Sequence, residues 1–104
     1  MEAIIRRANR PVRVLLKSGV ILDGREGTVA VSTKAFVKDG LRDRFAPSGE
    51  VLSGRAFYIP PMRESPSMPC QIEYQGQVYD VADLKVYTDL RGVCKGYRMV
   101  VAGG

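Results

Sequence analysis

Histidine and tryptophan are absent from this sequence, and cysteine occurs only twice, as Cys70 and Cys94. Without histidine the chain has no side chain that ordinarily titrates near neutrality, lacks the commonest zinc ligand, and can form no His-dependent nucleophilic triad. Two cysteines without histidine make neither a disulfide framework nor a metal site. Both read as small thiols, buried or half-buried, in a chain of cytosolic origin. No apolar run approaches the ~20 residues of a membrane-crossing helix, and no apolar signal region follows the N-terminal basic residues. Neither a membrane partner nor a cleaved leader is therefore expected. The eleven glycines are scattered at turns, and neither a phosphate-cradling loop nor a dinucleotide fingerprint can be spelled from them. The carboxylate pairs Asp80 and Asp83, and Asp39 and Asp43, sit among turn residues and solvated charge, where structural roles outweigh acid–base ones. These absences lead us to expect a non-enzymatic protein, with no cofactor, no metal and no small-molecule substrate.

What is present points to one folded domain. At 104 residues, with 45% hydrophobic and 26% charged residues, the chain can bury one core. Its clearest local signal lies in the last third. Cys70 to Tyr74 and Gln77 to Val81 alternate apolar and polar residues around Gln75-Gly76, the pattern of a hairpin with a two-residue loop. In that register Tyr74 faces Gln77, Ile72 faces Tyr79 and Cys70 faces Val81, so the large apolar side chains share a face. Beyond Val81 the apolar parity changes, with Leu84 and Val86 even where Tyr79 and Val81 are odd. A bulge near Ala82-Asp83 accounts for the change, and bulges bend strands as a small barrel requires. After a polar turn at Thr88 to Gly92, a last strand places Tyr97, Met99 and Val101 on one side and Arg98 on the other.

Upstream, Pro11 to Ser18 reads as a strand broken at Ser18-Gly19. A second hairpin turns at Asp23-Gly24 into Gly27 to Ser32. Thr33 to Gly49 is dense in charge of both signs, with room for only a short helical turn capped by Ser32 or Thr33 and a later turn at Ala46 to Gly49. It reads as a long excursion from the body. Arg55 to Ile59 alternates again, with Phe57 and Ile59 inward. Pro60 to Pro69 carries four prolines and reads as a stiff extended loop. The sum is an all-β domain, a small barrel or sandwich of about six strands with two long loops. A basic arm occupies residues 1–10, a charged excursion 33–50 and a proline-rich loop 60–69.

The net charge of +5 is concentrated early, in Arg6, Arg7, Arg10, Arg13 and Lys17. Such a set serves as a solvated or partner-binding face, or as a contact for nucleic-acid phosphate. Tyr74 and Tyr79 share a face with Ile72 and Val81, which favours a core or rim position with the hydroxyl reaching a polar partner over base stacking.

The pattern Ile72-x-Tyr74-x-Gly76-x-x-Tyr79-x-Val81, followed by Asp89-x-x-Gly92 and the closing Gly96-Tyr97-Arg98-Met99-Val100-Val101, resembles the C-terminal half of small head-completion proteins of tailed bacteriophages. These are also described as head-closure, stopper, head–tail joining or minor capsid proteins. Gly54-x-Ala56-Phe57-x-Ile59-Pro60 similarly resembles the strand before their proline-bearing loop. The resemblance implies a structural virion protein, made in the host cytoplasm and located in the neck. It would be a β-barrel subunit of a homo-oligomeric ring beneath the portal, with portal or adaptor and tail proteins as partners and packaged DNA in its channel. On that reading Arg6, Arg7, Arg10, Arg13 and Lys17 lie near DNA or an assembly interface. Lys38, Arg42, Arg44, Phe45, Pro60, Pro61, Met62 and Arg63 then belong to inter-subunit loops. The alternatives are a tail-terminator or tail-tube subunit, or a small nucleic-acid-binding barrel using Arg13, Lys17, Tyr87 and Arg98 on one exposed face.

Overall fold

The computed structural model describes residues 7–22, 25–45 and 51–102. They form six antiparallel strands in a closed barrel: β1 (Arg10–Leu22), β2 (Arg25–Phe45), β3 (Val51–Ile59), β4 (Gln71–Tyr74), β5 (Gln77–Thr88) and β6 (Cys94–Ala102), in the spatial order β1-β2-β3-β6-β5-β4. The expected all-β barrel is the fold.

Closure depends on two long strands that change partners. The first part of β2 pairs with β1, as far as Ala35 opposite Arg10, and from Phe36 onward β2 pairs with β3. Likewise β5 pairs with β4 through Gln77–Asp80 and with β6 from Val81. The result is two sheets sharing β2 and β5 at their corners. A straight strand of 21 residues would span about 70 Å, beyond the molecule's 41 Å longest dimension, so β2 has to bend. In β5 the bend coincides with a register shift between Val81 and Asp83, the bulge that the change of apolar parity implied.

The Gln75-Gly76 hairpin has the expected register, Tyr74 opposite Gln77 and Ile72 opposite Tyr79, and the Val81 amide donates to the Cys70 carbonyl at 3.1 Å. Gln75 and Gly76 both have positive φ, 51° and 79°, the left-handed pair that a tight hairpin turn requires. Alternation then sorts the side chains. Val12, Val14 and Leu16 of β1, Phe57 and Ile59 of β3, Ile72 and Tyr74 of β4, Val81 of β5, and Tyr97, Met99 and Val101 of β6 all point into one core. Phe57 meets Tyr74 edge to face across the interior, ring centroids 5.4 Å apart, which joins the two sheets.

Three details differ from the sequence reading. Ser18-Gly19 does not end β1, which instead tolerates a register shift between Lys17 and Ile21. No helical turn forms at Ser32 or Thr33, which pair with Arg13 and Val12. The charged excursion is strand and not loop over most of its length: Lys38 pairs with Ala56, Arg44 with Leu52 and Phe45 with Val51. Two register shifts, between Asp39 and Leu41 and between Leu41 and Arg44, absorb its poor alternation. The turns expected at Asp23-Gly24 and at Ala46 to Gly49 lie outside the described residues, as does Arg6.

The proline-rich loop is irregular as expected, but it is anchored at two points. Met62 packs on the core and Pro66 is buried, while Pro61 and Arg63 are exposed and Pro60 is half-buried. The Met68-Pro69 peptide is cis.

Gly54 marks the point where β3 leaves β6. A Cβ added there would lie 2.7 Å from the Val101 carbonyl oxygen, which is backbone and cannot swing aside. Gly54→Ala is therefore expected to separate the end of β3 from β6 and to cost roughly 1–3 kcal/mol, measured by urea denaturation. A stability equal to that of the parent chain would show that the contact relaxes freely.

Candidate interaction surfaces

Beyond the barrel two ribbons continue. β6 accompanies β3 only from Gly54, opposite Ala102, to Ile59, opposite Tyr97. Past that point, among the described residues, Arg44 and Phe45 pair with Leu52 and Val51 alone. In the same way β4 accompanies β1 only over Arg13–Leu15, and among the described residues Ile21 and Leu22 pair with Glu26 and Arg25 alone. Each is a two-stranded ribbon, an arrangement only marginally stable in water by itself.

At the base of the β2–β3 ribbon, Arg55 points inward from β3. An inward arginine is costly unless its charge and donors are met, and here they are. Its guanidinium lies 5.3 Å from the Tyr74 ring centroid and 5.7 Å from that of Tyr79. Its Nε donates to the Asp39 carboxylate and its Nη1 to the Tyr79 hydroxyl, the latter at 3.4 Å. The Tyr79 hydroxyl in turn donates to Gln77 Oε1 at 2.8 Å. The hydrogen bond to Asp39 raises the already high pKa of Arg55 further, against the opposing effect of burial. Tyr74 and Tyr79 thus take the core and rim positions expected, with the Tyr79 hydroxyl on polar partners.

At the opposite end, the β5–β6 turn is built on Asp89. Its Oδ1 accepts from the Arg91 and Val93 amides at 2.8 and 2.9 Å, and its Oδ2 lies 3.8 Å from Lys95. The Val93 amide first, then that of Arg91 and the Lys95 charge, hold the Asp89 carboxyl below its ordinary range. Leu90, the residue after Asp89, is fully exposed at the tip. Nearby, burial pushes the Tyr97 phenol up and the Cys94 thiol adds to the effect, while hydrogen bonds from the Met62 backbone and Ser65 oppose it. Cys70 is buried and Cys94 half-buried, both free, and burial raises the Cys70 thiol pKa.

The basic residues do not form one face. Arg13 and Lys17 lie exposed on the outside of the β1–β4 sheet, where Arg13 pairs with Glu73 at 3.3 Å. Arg7 and Arg10 are exposed near the corner and line a shallow depression with Asn9, Phe36 and Val37. Arg98 and Tyr87 belong to the other sheet. Arg13 and Lys17 thus stand on the sheet that β1 forms with β2 and β4, and Tyr87 and Arg98 on the sheet that β5 and β6 form with β3.

The outside of the β2–β3–β6–β5 sheet carries its own constellation. Phe36, Tyr58, Arg98 and Lys85 are consecutive cross-strand partners, forming one row over four strands. The Phe36 and Tyr58 rings are 6.2 Å apart, and Lys85 Nζ lies 5.2 Å from the Tyr87 ring centroid. The adjacent row, Lys38, Ala56, Val100 and Asp83, supplies a floor in which Ala56 and Val100 are buried although they point outward. Phe36, Tyr58 and Lys85 escaped the sequence reading. The signal was there: Lys34, Phe36 and Lys38 alternate with a period of two, visible once Thr33 to Phe45 is taken as strand.

Among the described residues no group of three His, Cys, Asp or Glu side chains could hold a metal ion. Of the carboxylates the sequence offered for acid–base work, Asp39 is held by Arg55, Asp80 accepts from Gln71 Nε2 at 2.8 Å, and Asp83 is engaged as well. No protein-family model matches the chain, and no curated protein sequence matches it.

Arg55→Lys keeps the charge but loses the planar fork and its stacking, and is expected to cost roughly 0.5–2 kcal/mol in denaturant titration. A lysine variant as stable as the parent would reduce the arginine to a point charge. For Asp89 the folded-state pKa is depressed, so its contribution to the turn is present above the ordinary carboxylate range and is lost as pH falls through the folded value. The Arg91 and Val93 amides are expected to lose hydrogen-exchange protection in that acid window, and at all pH values in Asp89→Ala. Protection that persists in the alanine variant would show that the backbone holds the turn unaided.

Proposed function

We propose that this chain is a structural subunit of a tailed-phage head-to-tail connector, of the head-closure or stopper kind, assembling as a ring under the portal around the DNA channel. The observation that carries the reading is that two hairpin ribbons run on past a closed barrel. The barrel is a self-sufficient rigid body, whereas a ribbon with no third strand gains stability when a neighbouring surface covers it. In a ring each subunit meets its neighbours through two different faces, so ribbons leaving the barrel at different places suit a heterologous contact repeated around an axis. The C-terminal resemblance to head-completion proteins supports the same reading. So does the positive charge, which suits a subunit beside packaged DNA.

On this reading Lys38, Arg42, Arg44 and Phe45 act from the β2 side of a ribbon and not from a loop. Arg63, exposed in the proline-rich loop, offers a second contact, while Pro60 and Met62 are committed to the barrel. Arg7, Arg10, Arg13 and Lys17 flank the assembly on two sides. Portal, adaptor and tail proteins are the partners, and the site of action is the virion neck.

The test is to shorten the β2–β3 hairpin, joining Leu41 to Gly54 by a tight turn. The shortened chain is expected to keep its cooperative unfolding and its β-sheet circular dichroism. It should also lose ring formation, read by analytical ultracentrifugation and electron microscopy, and fail to complete heads in an assembly assay. Rings that form normally from the shortened chain would overturn the reading.

A further inference from the structure

We propose that the outer face of the β2–β3–β6–β5 sheet is a docking surface for the phosphate backbone of duplex DNA, centred on Arg98. The choice of duplex as the occupant rests on the connector reading. The surface itself is argued from its chemistry.

Arg98 sits in the middle of the row Phe36, Tyr58, Arg98, Lys85. Its Nε is buried without a hydrogen-bond partner, and it has no acidic partner among the described residues. A buried donor left unmet is costly, and turning the Arg98 side chain outward brings its guanidinium fork to an anionic acceptor. By contrast Arg13 pairs with Glu73 and Arg55 with Asp39.

Among the described residues, cations outnumber carboxylates around Arg98. Lys85 is next in its row, Lys38 is exposed on the adjoining row, and Arg7 and Arg10 line the depression that Phe36 borders. The carboxylate on this face, Asp83, is already engaged. Ala56 and Val100, between the charges, are apolar and covered, so the cations stand over a buried apolar layer. Tyr58, half-buried beside Arg98, offers a hydroxyl of the sort that phosphate oxygens accept from.

The face is a sheet surface with no helix or ribbon rising from its centre, so it has nothing to insert into a groove and read base edges. Its contacts are with the backbone and independent of sequence. Such binding is dominated by counterion release and therefore falls steeply with salt. That suits DNA that must pass a subunit without being held at any one sequence.

The experiment uses the full chain and a fluorescently labelled short duplex of mixed sequence, with affinity measured across about 50 to 200 mM salt. Binding is expected at low salt, with little difference between duplexes of different sequence. Arg98→Gln and Lys85→Gln are each expected to weaken binding to all duplexes alike and to make the salt dependence shallower by about one phosphate contact. Arg13→Gln, on the other sheet, is the control and should leave the slope unchanged. Unfolding midpoints of all three variants show that the barrel is intact. Absence of duplex binding by the parent chain at low salt overturns the proposal. So does a slope that follows Arg13 and ignores Arg98 and Lys85, or a marked preference for the corresponding single strand, which would make the aromatic side chains stacking platforms. Ring formation by Arg98→Gln is measured separately. DNA binding lost with rings intact supports the docking face, and a chain that binds duplex but forms no ring retains the face while removing the connector.

Discussion

Everything in this molecule depends on two strands, β2 and β5, belonging to two sheets at once. Each begins in one sheet and ends in the other, and the barrel closes at the places where they cross over. A small barrel cannot close with straight strands, because the twist between neighbours and the stagger of the ladder have to be taken up somewhere. In β5 the bulge at Val81 and Asp83 takes it up, and in β2 the change of partner after Ala35 does. Ala35 is small and fully buried at that corner, which lets the two sheets come close.

The same constraint decides which surfaces are left for other molecules. Once the core is sealed by Phe57, Ile72, Met99 and their neighbours, the chain still has strand to spare, and that surplus becomes the two ribbons. The barrel end beneath the β2–β3 ribbon is capped by Arg55, whose charge is shared between Asp39 and two tyrosine rings. The cation serves the interior, whereas Arg98 lies on the other side of the same sheet. One arginine closes the body and the other equips its surface. The difference lies in the strand parity of the two positions and in which carboxylates the fold brings near.

The proline-rich loop shows a further consequence. It was expected to be a stiff extended loop because proline excludes regular pairing, and it does stay out of the sheets. Met62, packed on the core, and the buried Pro66 nonetheless fasten it to the barrel. Its outward-facing residues are therefore presented from a fixed path, which suits a contact surface better than a loose tether does.

Much of the architecture was legible in the residues. The Gln75-Gly76 turn, the register of Tyr74, Ile72 and Cys70, the inward set of β6 and the bulge after Val81 all follow from alternation and turn chemistry. Those depend on neighbours only a few positions apart, which a sequence displays directly. The charged segment from Thr33 to Phe45 was not legible as strand, because propensity and alternation are weak there and pairing with β3 supplies what they lack. Nor was the composition of any surface that spans several strands. Phe36, Tyr58, Arg98 and Lys85 are scattered over about sixty positions of the chain and become a row only when the barrel closes. The sequence by itself determined the strand class, the inward faces and the local turns, since each is a short-range property of the backbone and of alternating side chains. Only the tertiary structure decided where β2 and β5 change sheets, which charges are neutralised and which remain open, because those depend on contacts between residues far apart in the chain.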